Sequence, residues 1–255
     1  MKAVVTGASS GVGAALAEDL LARGYRVTLV ARRAHRLATL VDRYPDLTVA
    51  VAADMADPAT ARTAYDATAL RPGDRLVLVN AAGVCGPIAP AGETDLAEWR
   101  QTVDVNLLGP VAMTEAFLPH MIRTGWGRIV NVSSAQALHP PAGLVAAYAT
   151  TKVALNFYTR CVAEQVAGTE VAAIAIHPGD VWTEIWEHIG ARADRLGPDG
   201  QPLRELVSRI EAAGGDPPSR VVDLLRRLVD EPAAVHNGQF RYIEDGIQAP
   251  LPVNW

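Results

Sequence analysis

Short apolar segments alternate with helical patterns along the chain, and this alternation is the feature that most restricts its fold. The early apolar segments show no alternation of polar and apolar residues, which is typical of parallel strands that are covered on both faces. Repeated strand–helix–strand units also require right-handed crossovers. The sequence therefore predicts an α/β fold with a doubly wound parallel sheet flanked by helices, and no shift in composition divides residues 1–255 into more than one domain.

The pattern places the elements as follows. Strands are predicted at 3–5, 27–30, 48–51, 76–79, 129–132, 171–176 and 240–243. Helices are predicted at 11–23, 34–42, 59–67, 95–123, 146–167 and 220–228, with a break in the fourth helix near Gly109-Pro110. Residues 183–218 interrupt the alternation with nine glycines and prolines, and short helices are possible there at 184–195 and 203–213. An insert of this length after a late strand is typical of a lid or a binding loop.

Composition excludes several classes of partner. The formal charge is 23 − 28 = −5 with no block of Lys and Arg, which argues against nucleic acid and anionic membrane surfaces. No run of ~18 apolar residues is present, so no membrane span is predicted. Cys85 and Cys161 form neither a metal-binding spacing nor a disulfide framework. Because the first residues lead directly into a strand, no signal peptide is expected, and a cytoplasmic location is predicted.

A glycine-rich loop follows the first strand and precedes the first helix. It reads Thr6-Gly7-Ala8-Ser9-Ser10-Gly11-Val12-Gly13. Glycines allow a tight turn and close approach of the backbone to a pyrophosphate, and the free N–H groups of the helix N-terminus attract negative charge. No Gly-Lys-Ser/Thr ends the loop, so it is not a P-loop. The strand–loop–helix context predicts a dinucleotide site.

The end of the second strand indicates which dinucleotide. An acidic residue at this place would bind the ribose 2′-OH of NAD, whereas an Arg accommodates the 2′-phosphate of NADP. Here Ala31 takes the place of the acid, and Arg32 and Arg33 follow it. Because guanidinium groups match phosphate oxygens well, the sequence favours NADP(H) as the cofactor.

Tyr148 and Lys152 stand four residues apart, and Ser134 precedes the tyrosine by fourteen. On a helix, positions i and i+4 share one face. An ammonium beside a phenol is expected to lower the pKa of Tyr148, so that it can exchange a proton with a carbonyl or alcohol oxygen. Such a pair alone could arise by chance, and its interpretation as a catalytic pair depends on the other motifs in the chain.

Taken together, these motifs resemble the short-chain dehydrogenase/reductase family, in its single-domain branch with a Rossmann-type fold. The resemblance covers nearly the whole chain, and the remaining motifs that carry it are Asp54 with Met55, Asn80-Ala81-Ala82-Gly83, Asn106, and the segment containing Pro178, Gly179, Val181 and Thr183. The resemblance implies cofactor contacts from these residues other than Asn106 and from the loop of residues 6–13, with Asp54 at the adenine ring. The spacing of fourteen is one longer than the commonest form, so Ser133 could be mistaken for the catalytic serine, but alignment favours Ser134.

The resemblance also implies a role for each catalytic residue in a hydride-transfer oxidoreductase. Tyr148 would be the general acid or base, Lys152 would bind the nicotinamide ribose, and Ser134 would hydrogen-bond the substrate oxygen. Asn106 would hold a water for proton relay. The expected substrate pocket includes Ala135, His139, Leu144, Trp182 and Trp186, mostly apolar, which favours a hydrophobic or ring-bearing carbonyl compound or alcohol. His139 either orients a polar substituent or is an ordinary loop residue.

Two other functions remain open at this point. One is an epimerase or dehydratase that oxidises its substrate transiently on bound NADP, and the other is a non-catalytic NADP(H) sensor. The expected partner is a small molecule, with no metal. Relatives pair through the helices that flank the Ser134 strand, here 107–123 and 146–167, and the second carries more apolar residues than one buried stripe needs. A homodimer or, preferably, a homotetramer is predicted.

Overall fold

The computed structural model describes residues 1–139 and 143–243. Residues 140–142 and 244–255 lie outside the described residues. The strands are β1 (Lys2–Thr6), β2 (Arg26–Ala31), β3 (Thr48–Ala52), β4 (Leu76–Asn80), β5 (Gly127–Val132), β6 (Val171–His177) and β7 (Phe240–Tyr242). The helices are α1 (Gly11–Ala22), α2 (Ala34–Arg43), α3 (Thr60–Thr68), α4 (Leu96–Val103), α5 (Gly109–Thr124), α6 (Ala146–Gln165), α7 (Glu184–Arg195), α8 (Gln201–Ala213), α9 (Pro218–Asp230) and α10 (Ala233–His236).

The seven strands form one parallel sheet in the order β3-β2-β1-β4-β5-β6-β7. The strand order reverses between β1 and β4, so the loops after these two strands leave a crevice at the carboxyl edge of the sheet. This arrangement confirms the predicted doubly wound, Rossmann-type sheet.

Two apolar cores cover the two faces of the sheet, which explains the lack of alternation in the strand sequences. Val5 and Leu29 pack with α1, α2 and α9 on one face, whereas the neighbouring Val4 and Val30 pack with α3, α5 and α6 on the other. Consecutive residues of a strand point to opposite faces, so both must be apolar when both faces are covered.

The predicted break in the fourth helix is a π-helical segment. Asp104–Leu108 joins α4 to α5 without a gap, and Pro110 is the second residue of α5. Gly109 allows this helix to pass close to Met55, because a Cβ there would lie 3.1 Å from the Met55 backbone oxygen. The helix predicted at 220–228 is longer and begins at Pro218.

The insert folds into a helical hairpin of α7 and α8, joined by a 3₁₀ turn at Gly197–Gly200. Ile189 and Ala193 of α7 pack with Leu203 and Val207 of α8, and the hairpin covers one side of the carboxyl edge of the sheet. A Cβ at Gly200 would lie 2.0 Å from the carbonyl oxygen of Ala193. The glycine is therefore what allows the two helices to approach this closely. Across the described residues, no helix combines the length and hydropathy that crossing a membrane would require.

Candidate active site

The loop after β1 is shaped by backbone packing against the turn after β4. Gly7 has a φ of +69°, and a Cβ there would lie 2.8 Å from the backbone nitrogen of Ala82. A Cβ on Gly13 would lie 2.4 Å from the carbonyl oxygen of Gly7. Thr6 Oγ1 accepts hydrogen bonds from the N–H groups of Ala81 and Ala82, both at 3.1 Å. These contacts hold the two loops of the crevice together and leave no room for side chains at the glycines.

The first turn of α1 is open to an anion. Its N-cap residue, Ser10, makes no side-chain hydrogen bond to the helix, so the N–H groups of the first turn remain available. Gly11 has a φ of +53°, and a Cβ there would lie 2.7 Å from the methyl group of Thr183. The start of the insert therefore lies directly over the glycine-rich loop. Val12 and Gly13, the last two residues of that loop, form part of the first turn of α1.

The segment from Pro178 to Thr183 is held by Asp216, at the far end of the insert. The Asp180 N–H donates to Asp216 Oδ2 at 2.8 Å, and the Asp216 N–H donates back to the Asp180 carbonyl at 3.1 Å. Gly179 has a φ of +80°, and a Cβ there would lie 2.7 Å from Asp216 Oδ2. Val181 is buried. Sequence reasoning missed Asp216, because no local pattern links it to a segment more than thirty residues away.

One of the two arginines directly after β2, Arg33, reaches the glycine-rich loop. Arg33 Nη2 donates to Ser10 Oγ at 3.0 Å and lies 3.5 Å from Ser9 Oγ. Arg32 is more exposed and its nearest carboxylate oxygen is 3.8 Å away, on Asp54. Ala31 is buried at the end of its strand. The structure thus places Arg33 beside the glycine-rich loop and Arg32 beside Asp54.

Two predicted cofactor residues have mainly structural contacts. Met55 is buried and its side chain packs against Gly109. Asn80 donates from Nδ2 to Asn131 Oδ1 at 2.8 Å, and Asn131 donates in turn to Thr159 Oγ1 at 2.9 Å. This buried polar chain ties β4, β5 and α6 together beneath the turn that ends in Gly83. The sequence offered no signal for Asn131 or Thr159.

Tyr148, Lys152 and Ser134 converge at the carboxyl end of β5. Lys152 Nζ lies 5.6 Å from the centre of the Tyr148 ring and donates to the Val132 carbonyl at 2.8 Å. Ser134 interacts with the Tyr148 phenol and acts to lower its pKa. Ser133 is buried instead, and its hydroxyl points to the carbonyl of Lys152 at 3.4 Å.

The pKa of Tyr148 differs from the sequence-based expectation. Burial raises the pKa of Tyr148 to about 12, and this effect exceeds the opposing one of Ser134. Burial also lowers the pKa of Lys152 to about 8. The expected lowering of the Tyr148 pKa by the Lys152 ammonium is not seen in this structure, where desolvation is the largest effect on both groups.

Asn106 lies in the π-helical segment and is fully buried. Its Oδ1 accepts from the Val84 N–H and its Nδ2 donates to the Val84 carbonyl, both at 2.8 Å. Nδ2 also lies 3.3 Å from Thr151 Oγ1, one residue before Lys152. The side chain thus positions the turn after Gly83 against α6, a role that sequence reasoning did not identify. π-Helical segments are frequent at functional sites.

An apolar cluster packs against Tyr148. Leu144, Trp182 and Trp186, all predicted pocket residues, pack in this cluster with Tyr148. Cys85 is buried there, and burial raises the pKa of its thiol to about 12, so it is not a thiolate. Ala135 follows Ser134 and donates its N–H to His177 Nδ1 at 3.2 Å. His139 is exposed and is not part of the cluster.

Comparison with known proteins gives matches in both sequence and fold. A sequence model of short chain dehydrogenases matches residues 1–194. D-threitol dehydrogenase from Mycolicibacterium smegmatis is 32% identical over 251 residues, which cover 96% of this chain and 91% of that protein. Among solved structures, gluconate 5-dehydrogenase from Burkholderia cenocepacia, in complex with NADP and tartrate, gives a TM-score of 0.76 at 28% identity, covering 94% of this chain and 92% of that one. A variant of actinorhodin polyketide ketoreductase with NADPH gives a TM-score of 0.81 at 26% identity, covering 94% of each chain.

Proposed function

Because the chain belongs to the short-chain dehydrogenase family, we propose that it is an NADP(H)-dependent oxidoreductase that interconverts a carbonyl compound and an alcohol. The observation that carries this proposal is the convergence of Tyr148, Lys152 and Ser134 beside the glycine-rich crevice. When bound, the nicotinamide cofactor supplies or accepts the hydride. The residues of the chain supply the proton and orient the substrate and the cofactor.

The crevice fits a dinucleotide. The positions of Gly7 and Gly13 leave space only for bare backbone, and the first turn of α1 has N–H groups available for a pyrophosphate. Arg33, held beside Ser10, is suited to a 2′-phosphate, and the buried Ala31 offers no carboxylate for a free 2′-OH. Two of the compared structures contain NADP or NADPH, which supports the same choice.

We assign the proton to Tyr148. Its raised pKa keeps the phenol protonated at neutral pH, the form that donates to a carbonyl oxygen during reduction. Ser134 would hold that oxygen and stabilise the negative charge that develops on it. Lys152, buried and bound to the Val132 carbonyl, would hold the nicotinamide ribose and the phenol in place.

The apolar cluster around Tyr148 points to the class of substrate. Leu144, Trp182 and Trp186 offer aromatic and aliphatic surface with few polar groups, so we propose a hydrophobic or ring-bearing ketone, aldehyde or alcohol. The insert hairpin that carries Trp186 would cover the substrate, and it would act as a lid over a single domain of residues 1–255.

A panel of ketones, aldehydes and alcohols tests the proposal, with NADPH, NADH and their oxidised forms followed by the absorbance of the reduced nicotinamide. We expect turnover with hydrophobic members of the panel and much higher kcat/KM with NADPH than with NADH. The Tyr148→Phe variant is the control for background reduction. Tight binding of NADPH without turnover on any compound would instead indicate a sensor, and equal kcat/KM with both cofactors would refute the NADP(H) assignment.

A further inference from the structure

Glu184, the first residue of the insert helix α7, binds Arg33 and Arg36, two of the three arginines that follow β2. Arg33 Nη1 donates to both of its carboxylate oxygens, at 2.9 and 2.8 Å, and Arg36 Nη1 donates to Oε1. The hydrogen bonds from Arg36 and Arg33 lower the pKa of Glu184. The carboxylate is therefore ionised at neutral pH, and it is held by two guanidinium groups from another part of the chain.

Arg33 faces the glycine-rich loop at the same time. Its other terminal nitrogen, Nη2, donates to Ser10 Oγ, so the guanidinium lies where the proposed function places the 2′-phosphate. Carboxylates and phosphates are bound by the same N–H donors of an arginine. Glu184 thus uses the donors that a 2′-phosphate would need.

The third arginine is much less engaged. Arg32 is 57% exposed along its side chain and lies 3.8 Å from the nearest oxygen of Asp54. It can bind a phosphate with little loss of existing contacts, whereas Arg33 and Arg36 must release Glu184 first. The competition therefore concerns two of the three arginines.

Displacement of Glu184 would free only one end of α7. Ile185 and Trp186, the next two residues, pack in the apolar cluster with Tyr148. Further along the helix, Arg192 Nη2 donates to Glu98 Oε1 of α4 at 2.8 Å. Release of the first turn would consequently move residues that cover Tyr148, while the Arg192–Glu98 ion pair keeps the rest of α7 in place.

We propose that Glu184 is a specificity-determining residue that competes with the cofactor 2′-phosphate for Arg33 and Arg36. A nucleotide with this phosphate displaces the first turn of α7 from the glycine-rich loop, and one without it does not. The inference rests on the proposed NADP(H) preference. By thermodynamic linkage, the contact that holds α7 on the loop weakens phosphate binding by the same factor as the phosphate weakens the contact.

Nucleotide fragments test the competition without the nicotinamide. Binding of adenosine 2′,5′-bisphosphate and of adenosine 5′-monophosphate is measured by calorimetry at low ionic strength. Glu184→Gln should bind the bisphosphate about three- to tenfold more tightly than the unaltered protein, a factor that exposed ion pairs can supply. Its affinity for the monophosphate should be unchanged.

Glu187→Gln is the matched control, because Glu187 is exposed in the first turn of the same helix and makes none of the arginine contacts above. It removes the same charge and should leave both affinities unchanged. If Glu184→Gln leaves bisphosphate affinity unchanged or weaker, or if both variants tighten both nucleotides alike, the competition is refuted.

Arg33→Ala separates failure of this inference from failure of the cofactor assignment. If Arg33→Ala weakens bisphosphate binding while Glu184→Gln has no effect, the phosphate site stands and only the competition fails. If the unaltered protein binds both nucleotides equally and Arg33→Ala changes neither affinity, the NADP(H) assignment fails and the inference with it.

Hydrogen exchange tests the displacement itself. The bisphosphate should accelerate amide exchange in the first turns of α7 in the unaltered protein, and the monophosphate should not. In Glu184→Gln the exchange should already be fast without nucleotide. Unchanged exchange of the unaltered protein with saturating bisphosphate would mean that the phosphate binds without moving α7, which would overturn the proposal.

Discussion

Removal of one oxygen atom from Tyr148, Ser133 or Ser134 should show which hydroxyl groups are needed for catalysis and which only for stability. Tyr148→Phe keeps the ring in its apolar cluster and removes only the proton donor, so kcat should fall by about 10²–10⁴-fold while NADPH affinity is retained. Steady-state rates and calorimetric NADPH binding check this. A variant with more than a tenth of the original kcat would show that another group donates the proton.

The serine pair provides an internal control for the site. Ser134 interacts with the Tyr148 phenol, whereas the Ser133 hydroxyl points to a backbone carbonyl. Ser134→Ala should therefore lower kcat severely, and Ser133→Ala should affect stability more than kcat. The comparison of kcat and melting temperature for the two variants checks the assignment, and a larger kcat loss in Ser133→Ala would reverse it.

The pH dependence of reduction reports whether burial or the Lys152 ammonium has the larger effect on the pKa of Tyr148. With its pKa raised to about 12, Tyr148 remains protonated across neutral pH, and Lys152 loses its charge only as the pH passes about 8. The kcat/KM for a non-ionisable ketone should thus be level below a pH of about 8 and decline above it. An apparent pKa between roughly 6 and 7 would instead mean that the ammonium lowers the pKa of Tyr148 despite burial.

At the scale of elements, the sequence predicted most of the fold because the five central strands, β2, β1, β4, β5 and β6, are covered on both faces. Short apolar runs located the first six strands, whereas the last, β7, was placed only as the strand that closes the sheet. The two helices of the insert were expected as short helical pieces between its glycines and prolines. The four-residue helix α10 and the π-helical segment were missed, since neither is long enough to show a period.

The candidate site was predictable only where its residues lie close together in the sequence. Tyr148 and Lys152 lie one helical turn apart, so their meeting follows from local geometry. The pairing of Arg33 with Glu184 joins residues 151 positions apart, and the pKa of Tyr148 depends on what covers it. Neither leaves a pattern in a single sequence, because both are set by tertiary packing.

The insert hairpin allows a matched pair of glycine substitutions. Gly200→Ala would place a Cβ 2.0 Å from the Ala193 carbonyl and force α8 away from α7, whereas a Cβ at Gly190 would meet only a Val207 methyl group at 3.4 Å. We expect Gly200→Ala to destabilise the protein by about 1–3 kcal/mol and to raise the substrate KM. Gly190→Ala, within α7, should be neutral or stabilising by about 0.5–1 kcal/mol.

Thermal unfolding and substrate KM measure both variants of the hairpin. Because the hairpin packs beside Tyr148, its distortion should affect substrate binding before it affects NADPH binding. An unchanged melting temperature in Gly200→Ala would mean that α7 and α8 separate without cost, which would contradict their tight packing.

At the scale of the whole molecule, apolar side chains remain uncovered on one surface. Val153 and Phe157, one turn apart on α6, are 50% and 65% exposed, and Leu108, in the π-helical segment that packs against α6, is 51% exposed. Exposure of large apolar side chains to water is energetically unfavourable, and burial in an interface would remove this cost. We expect a second copy of the chain to cover them, in a symmetric homodimer or, preferably, a homotetramer.

Light scattering at micromolar protein should then give a mass two or four times the 27.0 kDa of the chain. Phe157→Glu, which places a charge at the centre of this surface, should reduce the mass to a smaller assembly. Val49→Glu is the control, because Val49 is also exposed, at 45%, but lies on the edge strand β3 at one end of the sheet. Circular dichroism shows whether each variant is folded. A folded Phe157→Glu variant with the original mass would exclude this surface from the interface, and an active monomer of the unaltered chain would exclude assembly altogether.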